Sequence, residues 1–174
     1  MIQAVGTQKA RERAQEILAE LAITKAPVPV ERVAKKLGAV VRYSAFDDTL
    51  SGMITVKEGV PIIAVNALHH PNRQRFSIAH EIGHLVLHRE FITNHVHVDK
   101  SFALHRDERS AQGEDRLEID ANAFAAELLV PQEWLRLAIA PEMDLDDDRA
   151  LTTIARQFKV STAALQNRLL NLAF

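Results

Sequence analysis

The sequence predicts a mostly helical α+β fold, with a small three-stranded, antiparallel sheet, in a single domain that spans residues 1–174. Three observations predict it. Apolar residues recur at helical spacing through most of the chain, three short strand-like runs follow one another, and no internal repeat or linker interrupts the sequence. A chain of 174 residues can bury one sizeable core, and its 47% hydrophobic content is typical of a folded globular protein.

The first part of the chain is predicted to hold two helices and then the sheet. Apolar residues recur at helical spacing from about Lys9 to Leu21. A short second helix over 29–37 has Pro29 in its first turn and Gly38 just past its end. The strand-like runs, separated by the turn sequences FDDT and KEG, are 39–43, 50–56 and 61–66. Short turns between consecutive strands favour an antiparallel meander.

The second part is predicted to be helical, apart from one long loop. A long helix starts near Pro71 and contains the sequence RFSIAHEIGHLVLHRE. The polar, aperiodic stretch from Phe91 to Gly113 is predicted to be a loop. Helical periodicity returns in EDRLEIDANAFAAELLV and stops at Pro131, where a short helix follows. Two last helices, at about 149–158 and 162–172, form a pair that resembles a helix-turn-helix.

Composition excludes several kinds of site and location. The chain has no cysteine, so a metal ion would have to be held by His, Asp or Glu. A formal net charge of −2 gives no electrostatic reason to expect binding to nucleic acid or to anionic membrane. The amino terminus has no apolar core of a signal peptide, and no apolar run reaches the ~18 residues that span a bilayer. We therefore expect a cytoplasmic protein.

His80, Glu81 and His84 form the pattern H-E-x-x-H within the helix that starts near Pro71. Four residues advance an α-helix by ~400°, so the two imidazoles lie within ~40° of one face and ~6 Å apart along the axis. They could occupy two corners of a tetrahedral zinc site, with Glu81 on the flank of that face and within reach of a water molecule. The surrounding residues are apolar, and a bound cation would satisfy polar groups that are costly to bury alone.

A catalytic zinc site usually has a third protein ligand. The extended pattern H-E-x-x-H-x-x-G-x-x-H fails here, because Leu87 and Glu90 occupy its last two defined positions. Glu118, in the next long helix, is the favoured third ligand, and Asn122 lies on the same helix face, where it could hydrogen-bond a ligand imidazole. The small residues Gly83, Ala121 and Ala125 would let the two helices approach closely. The residues that compete with Glu118 are His95, His97, His105, Glu114 and Asp115.

Peptide hydrolysis would also need a donor for the developing oxyanion. The candidates are Tyr43, His88, His95, His97 and His105, and the sequence does not select among them. His88, one helical turn beyond His84, is interpreted as a core histidine.

The segments NRQRFSIAHEIGHLVLH and EIDANAFAAELLVP resemble the ImmA/IrrE family of bacterial metallopeptidases, and the similarity extends over about residues 10–172. The resemblance implies a zincin-like fold and a gluzincin-type peptidase that uses Zn²⁺, with Mn²⁺ or Fe²⁺ as alternatives. It implies His80, His84 and Glu118 as metal ligands and Glu81 as the catalytic residue. It also implies a partner, a separate Xre-type helix-turn-helix repressor, whose cleavage would release stress-response, mobile-element or toxin–antitoxin genes.

Two other functions stay open. The carboxy-terminal sequence LTTIARQFKVSTAALQNRLLNL, with Ser161 as a helix cap, has the outline of a DNA-binding helix-turn-helix. Lys159 stands where such turns often have glycine, and Arg168 is the only basic residue of the second helix, which disfavours direct DNA binding. A metal-binding regulator without peptidase turnover is the other alternative. Glu81 argues against it, because a metal sensor needs ligands but has no use for an unligated carboxylate.

Overall fold

A computed structural model describes residues 4–94, 97–100, 108–139 and 148–172. Helices dominate, with one small sheet, which confirms the predicted α+β class. The described elements, in chain order, are α1 (Thr7–Glu20), α2 (Val30–Lys36), β1 (Val40–Ser44), β2 (Leu50–Lys57), β3 (Val60–Asn66), α3 (Pro71–Leu87), α4 (Arg89–Asn94), β4 (His97–Lys100), α5 (Glu108–Leu129), α6 (Gln132–Ala138), α7 (Asp148–Phe158) and α8 (Thr162–Leu172).

The two long helices α3 and α5 pack against each other at the centre of the molecule. Ile78 and Ile82 of α3 and Phe124 and Leu128 of α5 are completely buried, and they belong to one contiguous apolar cluster. That cluster also takes residues from α1, the sheet and the carboxy-terminal helices. Burial at ~25 cal/mol per Å² of apolar surface is the main force that fixes α3 on α5. No helix of the described residues is both long enough and apolar enough to cross a bilayer.

The sheet is mixed, so the predicted three-stranded antiparallel meander is wrong. Its order is β1-β3-β2-β4, with β1 parallel to β3 and with β2 antiparallel to both of its neighbours. The side chain of Asn66, at the end of β3, bonds to the start of β2 and to the segment before it. Its amide nitrogen donates to the carbonyl oxygens of Asp47 and Leu50, at 3.1 and 2.9 Å. These bonds attach the end of the β1–β2 connection and the first residue of β2 to the end of β3.

The stretch predicted as a loop, Phe91 to Gly113, also departs from expectation. It contains most of α4, strand β4 and the start of α5, while 95–96 and 101–107 lie outside the described residues. Strand β4 is specified by its pairing with β2, which local periodicity cannot show. The first turns of α5 are rich in Glu, Arg, Ala and Gln, which favour helix without forming an apolar stripe.

The carboxy-terminal helix pair lies where the sequence predicts it. Ser161 caps α8, since its hydroxyl oxygen accepts a hydrogen bond from the backbone N–H of Ala164 at 3.1 Å. Lys159 takes the left-handed backbone conformation, with φ of 53°, at the turn position where glycine is common. The outline of a helix-turn-helix is therefore present without its usual turn residue.

Candidate metal centre

Helices α3 and α5 bring His80, His84 and Glu118 together. The Nε2 atoms of the two histidines lie 3.1 Å apart. The Oε2 atom of Glu118 is 3.1 Å from His80 Nε2, and its Oε1 atom is 3.2 Å from His84 Nε2. Among the described residues, these three side chains form a group whose ligand atoms lie within 4.8 Å of one another, close enough to hold one metal ion. Both imidazoles are buried, whereas the side chain of Glu118 is 35% exposed, so the site is reached from the Glu118 side.

The outer nitrogen of each imidazole is held by another side chain. His80 Nδ1 lies 3.0 Å from Asn122 Oδ1, and His84 Nδ1 lies 3.2 Å from His88 Nδ1. An amide oxygen only accepts hydrogen bonds, so His80 carries its proton on Nδ1 and keeps a lone pair on Nε2. Two buried imidazole nitrogens and a carboxylate that face one point are the donor set of a three-ligand zinc site. The residues therefore fit a divalent cation.

Small residues make the approach of the two helices possible. A Cβ atom added at Gly83 would lie 3.1 Å from Ala121 Cα and 3.2 Å from a ring carbon of Phe124. These distances are shorter than ordinary van der Waals contacts, so the α3 backbone lies almost directly on α5. The predicted close approach of Gly83 and Ala121 is confirmed.

Glu81 is completely buried on the side of α3 that faces β2. A Cβ atom at Gly52, in β2, would lie 3.4 Å from Glu81 Oε1, so the carboxylate lies next to the strand backbone. Glu81 is not one of the three converging groups.

The surroundings shift the titration of two nearby side chains. Burial alone would raise the pKa of Glu118, but the hydrogen bonds and charges of His80 and His84 outweigh it and hold that pKa well below its usual range. Burial lowers the pKa of His88, against the opposing effect of Asp120 and Glu118. The site therefore favours an ionised Glu118 and a neutral His88.

Several other candidates lie away from this cluster or beyond the described residues. Asp115, which competed for the third ligand position, is exposed on α5 and is not part of the cluster. The hydroxyl of Tyr43, an oxyanion candidate, donates a hydrogen bond to Glu31 of α2. Burial of the hydroxyl, and to a lesser extent its hydrogen bond to Glu31 and the charge of Glu31, raise the pKa of Tyr43 to about 12. His95 and His105 lie outside the described residues, as do the side chains of His97 and Glu114.

Sequence reasoning missed Asp120, whereas His88 is buried, as its interpretation as a core histidine predicted. Helix α3 ends at Leu87, earlier than predicted, and His88 is its carboxy-terminal cap residue. Asp120 of α5 is buried, and its Oδ2 atom lies 3.9 Å from His88 Nε2. The available signal was an acidic residue two positions after Glu118 in an apolar helix, but its contact with His88 depends on tertiary packing.

Comparison with known proteins assigns the family. The model of the peptidase M78 family, described as an IrrE N-terminal-like domain, matches residues 34–170, which include both motif helices. The chain belongs to this family. The predicted resemblance to ImmA/IrrE metallopeptidases is therefore confirmed. The matched residues of this M78 family member include the converging His80, His84 and Glu118.

Other comparisons add the fold alone. No curated protein matches this M78 family member significantly by sequence. A solved structure, of a Mycobacterium tuberculosis transcriptional regulator, has a TM-score of 0.62 at 18% sequence identity. The match covers 93% of this chain and 46% of the regulator, so this chain spans about half of that regulator's length.

Proposed function

We propose that this M78 family member is a zinc-dependent peptidase that cleaves a separate Xre-type helix-turn-helix repressor in the cytoplasm. The convergence of His80, His84 and Glu118 is the observation that carries the proposal, and the buried Glu81 follows His80 directly in α3. Mn²⁺ or Fe²⁺ would suit the same nitrogen and oxygen donors, although Zn²⁺ fits a three-ligand site of this kind best.

Each protein group has a distinct part in the proposed hydrolysis. A bound Zn²⁺ would supply Lewis-acid chemistry, polarising the scissile carbonyl and lowering the pKa of water. Glu81 accepts a proton at its carboxylate from the attacking water and then donates it to the leaving amine. Asn122 keeps the proton of His80 on Nδ1 through its amide oxygen, and so leaves Nε2 available as a ligand atom.

An apolar groove beside the site supports a protein substrate. Its volume is about 780 Å³, and it runs between α3, α5 and α8 as far as Asn122, the residue that holds His80. Phe76, Ile119 and Ala164 are among its apolar lining residues. A concave surface of this kind suits a segment of polypeptide, whose apolar side chains would be covered on binding.

The surroundings of Arg168 favour this proposal over direct DNA binding. Arg168 is the only basic residue of α8, and it is 3% exposed. Its guanidinium donates to Glu127 and to the carbonyl oxygen of Val130, so it is committed to packing α8 on α5. Exposed basic side chains supply much of the affinity of DNA-binding helices, and α8 offers none.

A metal-binding regulator without turnover is the second candidate. The similar solved structure is named as a transcriptional regulator, which favours a regulatory role for this fold. In that case metal would change the binding of a partner without cleaving it, and the carboxylate of Glu81 would have no proton to transfer.

A Glu81→Gln variant beside the wild type tests the two candidates. Both proteins are loaded with Zn²⁺, their metal content is measured, and each is incubated with a lysate of the source organism. New protein amino termini are then identified by mass spectrometry. We expect equal metal content, with new termini in helix-turn-helix repressors only in the wild-type sample, because glutamine cannot accept the proton from water.

Two results would contradict the peptidase proposal. Identical new termini in both samples would show that the cleavage does not depend on Glu81. No cleavage by the wild type, together with metal-dependent capture of an intact repressor, would establish the regulator instead.

A further inference from the structure

The Nδ1 atoms of the two proposed ligand histidines, His80 and His84, contact different kinds of side chain. Asn122 accepts a hydrogen bond from His80, whereas the partner of His84 is a second imidazole, that of His88. Metal-ligating histidines generally donate their other N–H group to an acceptor, which fixes the tautomer and the plane of the ring. The acceptor for His84 is therefore an imidazole, and it can accept at Nδ1 only if its own proton is on Nε2.

The nitrogen of His88 that carries the proton is determined by the proposed role of His84 as a metal ligand. This step rests on the proposed metal site, in which Nε2 of His84 supplies a lone pair. Nδ1 of His84 then carries the proton and donates it to Nδ1 of His88, 3.2 Å away. A neutral His88 that accepts at Nδ1 carries its own proton on Nε2.

The Nε2 atom of His88 faces a carboxylate. The Oδ2 atom of Asp120 lies 3.9 Å away, and both side chains are almost completely buried. The same Oδ2 atom accepts hydrogen bonds from the backbone N–H groups of Val5 and Gly6, at 2.8 and 3.1 Å. The carboxylate is therefore fixed by the segment that precedes α1.

We propose that His88 and Asp120 are positioning residues for His84, and that Val5 and Gly6 hold Asp120 in place. The order of contacts runs from the amino-terminal backbone to Asp120, then to His88, and finally to His84. The negative charge of Asp120 favours the proton on Nε2 of His88. That tautomer leaves Nδ1 of His88 as the acceptor that His84 requires, so α5 supports both ligand histidines, through Asn122 and through Asp120.

Three substitutions at His88 separate hydrogen bonding from packing. The side-chain oxygen of asparagine lies near the position of Nδ1, whereas glutamine places its amide near Nε2 and leucine offers no acceptor. We expect Zn²⁺ affinity, measured by competition with a chelator, to stay close to the wild type in His88→Asn. It should fall by about ten- to a hundredfold in His88→Leu and in His88→Gln.

Thermal unfolding of the metal-free proteins is the folding control. Leucine is a well-packing apolar residue, so metal-free His88→Leu should be at least as stable as metal-free wild type while binding Zn²⁺ more weakly. A purely structural role for His88 would instead make asparagine the worst replacement and would leave affinity unaffected by leucine.

Asp120→Ala, with Asp115→Ala as its matched control, tests the second step. Both changes remove one carboxylate from α5, but Asp115 is exposed and lies outside the site. We expect Zn²⁺ affinity to fall in Asp120→Ala and to remain at the wild-type value in Asp115→Ala. If Asp120→Ala does not fold, Asp120→Asn replaces it, because its amide oxygen can still accept from Val5 and Gly6.

The outcomes distinguish this inference from the proposed function. A wild-type protein that binds no Zn²⁺ would overturn the metal site itself. Stoichiometric binding by the wild type, with unchanged affinity in His88→Leu or in folded Asp120→Ala, would overturn the positioning roles alone.

Discussion

Two carboxylates of the proposed site lie in different surroundings. Glu118 is partly exposed and lies within 3.2 Å of both ligand imidazoles, whereas Glu81 is completely buried and faces the backbone of β2. A partly hydrated carboxylate in contact with two imidazoles is suited to remain ionised, as a ligand must. Glu81, which lies against strand β2, is the group that the proposed mechanism uses to accept and release a proton.

Glu118→Gln tests the ligand assignment with little change in size. Loss of the anionic ligand should lower Zn²⁺ affinity by more than the about ten- to a hundredfold that removal of an outer contact costs. The measurement is chelator competition, with the exposed Glu133→Gln on α6 as control. Wild-type metal content and full cleavage in the Glu118 variant would remove Glu118 from the ligand set.

At the scale of the helices, the spacing between α3 and α5 depends on Gly83. Alanine favours helix over glycine by about 0.5–1 kcal/mol, but its methyl group would enter a space 3.1 Å from the Ala121 backbone. Overpacking of a tight contact costs about 1–3 kcal/mol, so we expect Gly83→Ala to be destabilising overall. It should also weaken Zn²⁺ binding, because it moves Glu118 away from the two histidines.

Gly52→Ala is the matched control for this prediction. Its methyl group would make contacts of 3.4 Å, which are close to ordinary van der Waals distances. We expect a smaller loss of stability, measured by urea unfolding, and unchanged Zn²⁺ affinity. Equal effects of the two substitutions on metal affinity would show that the spacing of α3 and α5 does not control the site.

Helix α8 is attached to α5 through a buried ion pair. Arg168 pairs with Glu127, which also accepts hydrogen bonds from Gln15 and from the backbone of Gln132. Arg168→Met would leave the Glu127 charge buried without its cation, and breaking such a pair costs about 3–5 kcal/mol. Gln15 and the backbone of Gln132 would still donate to Glu127, so we expect a loss of unfolding free energy near the lower end of that range. Urea unfolding measures this loss.

An exposed ion pair provides the comparison for Arg168. Arg136 and Glu133 of α6 are 3.3 Å apart and largely solvated, so Arg136→Ala should cost no more than about 1 kcal/mol. If Arg168→Met proves as mild as Arg136→Ala, the buried pair is not what holds α8 in place.

At the scale of the whole molecule, local patterns predicted the helices and the contact between α3 and α5, but not the strand order or the contacts of Asp120. The H-E-x-x-H helix and the Glu118 helix could be read from periodicity, because each has its own apolar stripe and small residues at the contact. Strand order could not, since the bonds from Asn66 to the β1–β2 connection join residues that are 16 to 19 positions apart. The contact of Asp120 with the N–H groups of Val5 and Gly6 spans more than 110 positions and has no local signal.

The proposed ligands come from two helices that are far apart in the sequence, so metal binding should affect the stability of the whole protein. A cation held jointly by side chains of α3 and α5 would bind the folded state far more tightly than the unfolded chain. It would stabilise the folded state by up to RT ln(1 + [Zn²⁺]/Kd), about 2.7 kcal/mol at a hundredfold excess over Kd. For a chain of this length, that corresponds to a rise in Tm of about 5–10 °C. Calorimetry with and without a chelator measures the shift. Glu81→Gln should show the full shift and Glu118→Gln a reduced one, because only the second residue is a proposed ligand. An equal shift in all three proteins would place the stabilising metal elsewhere.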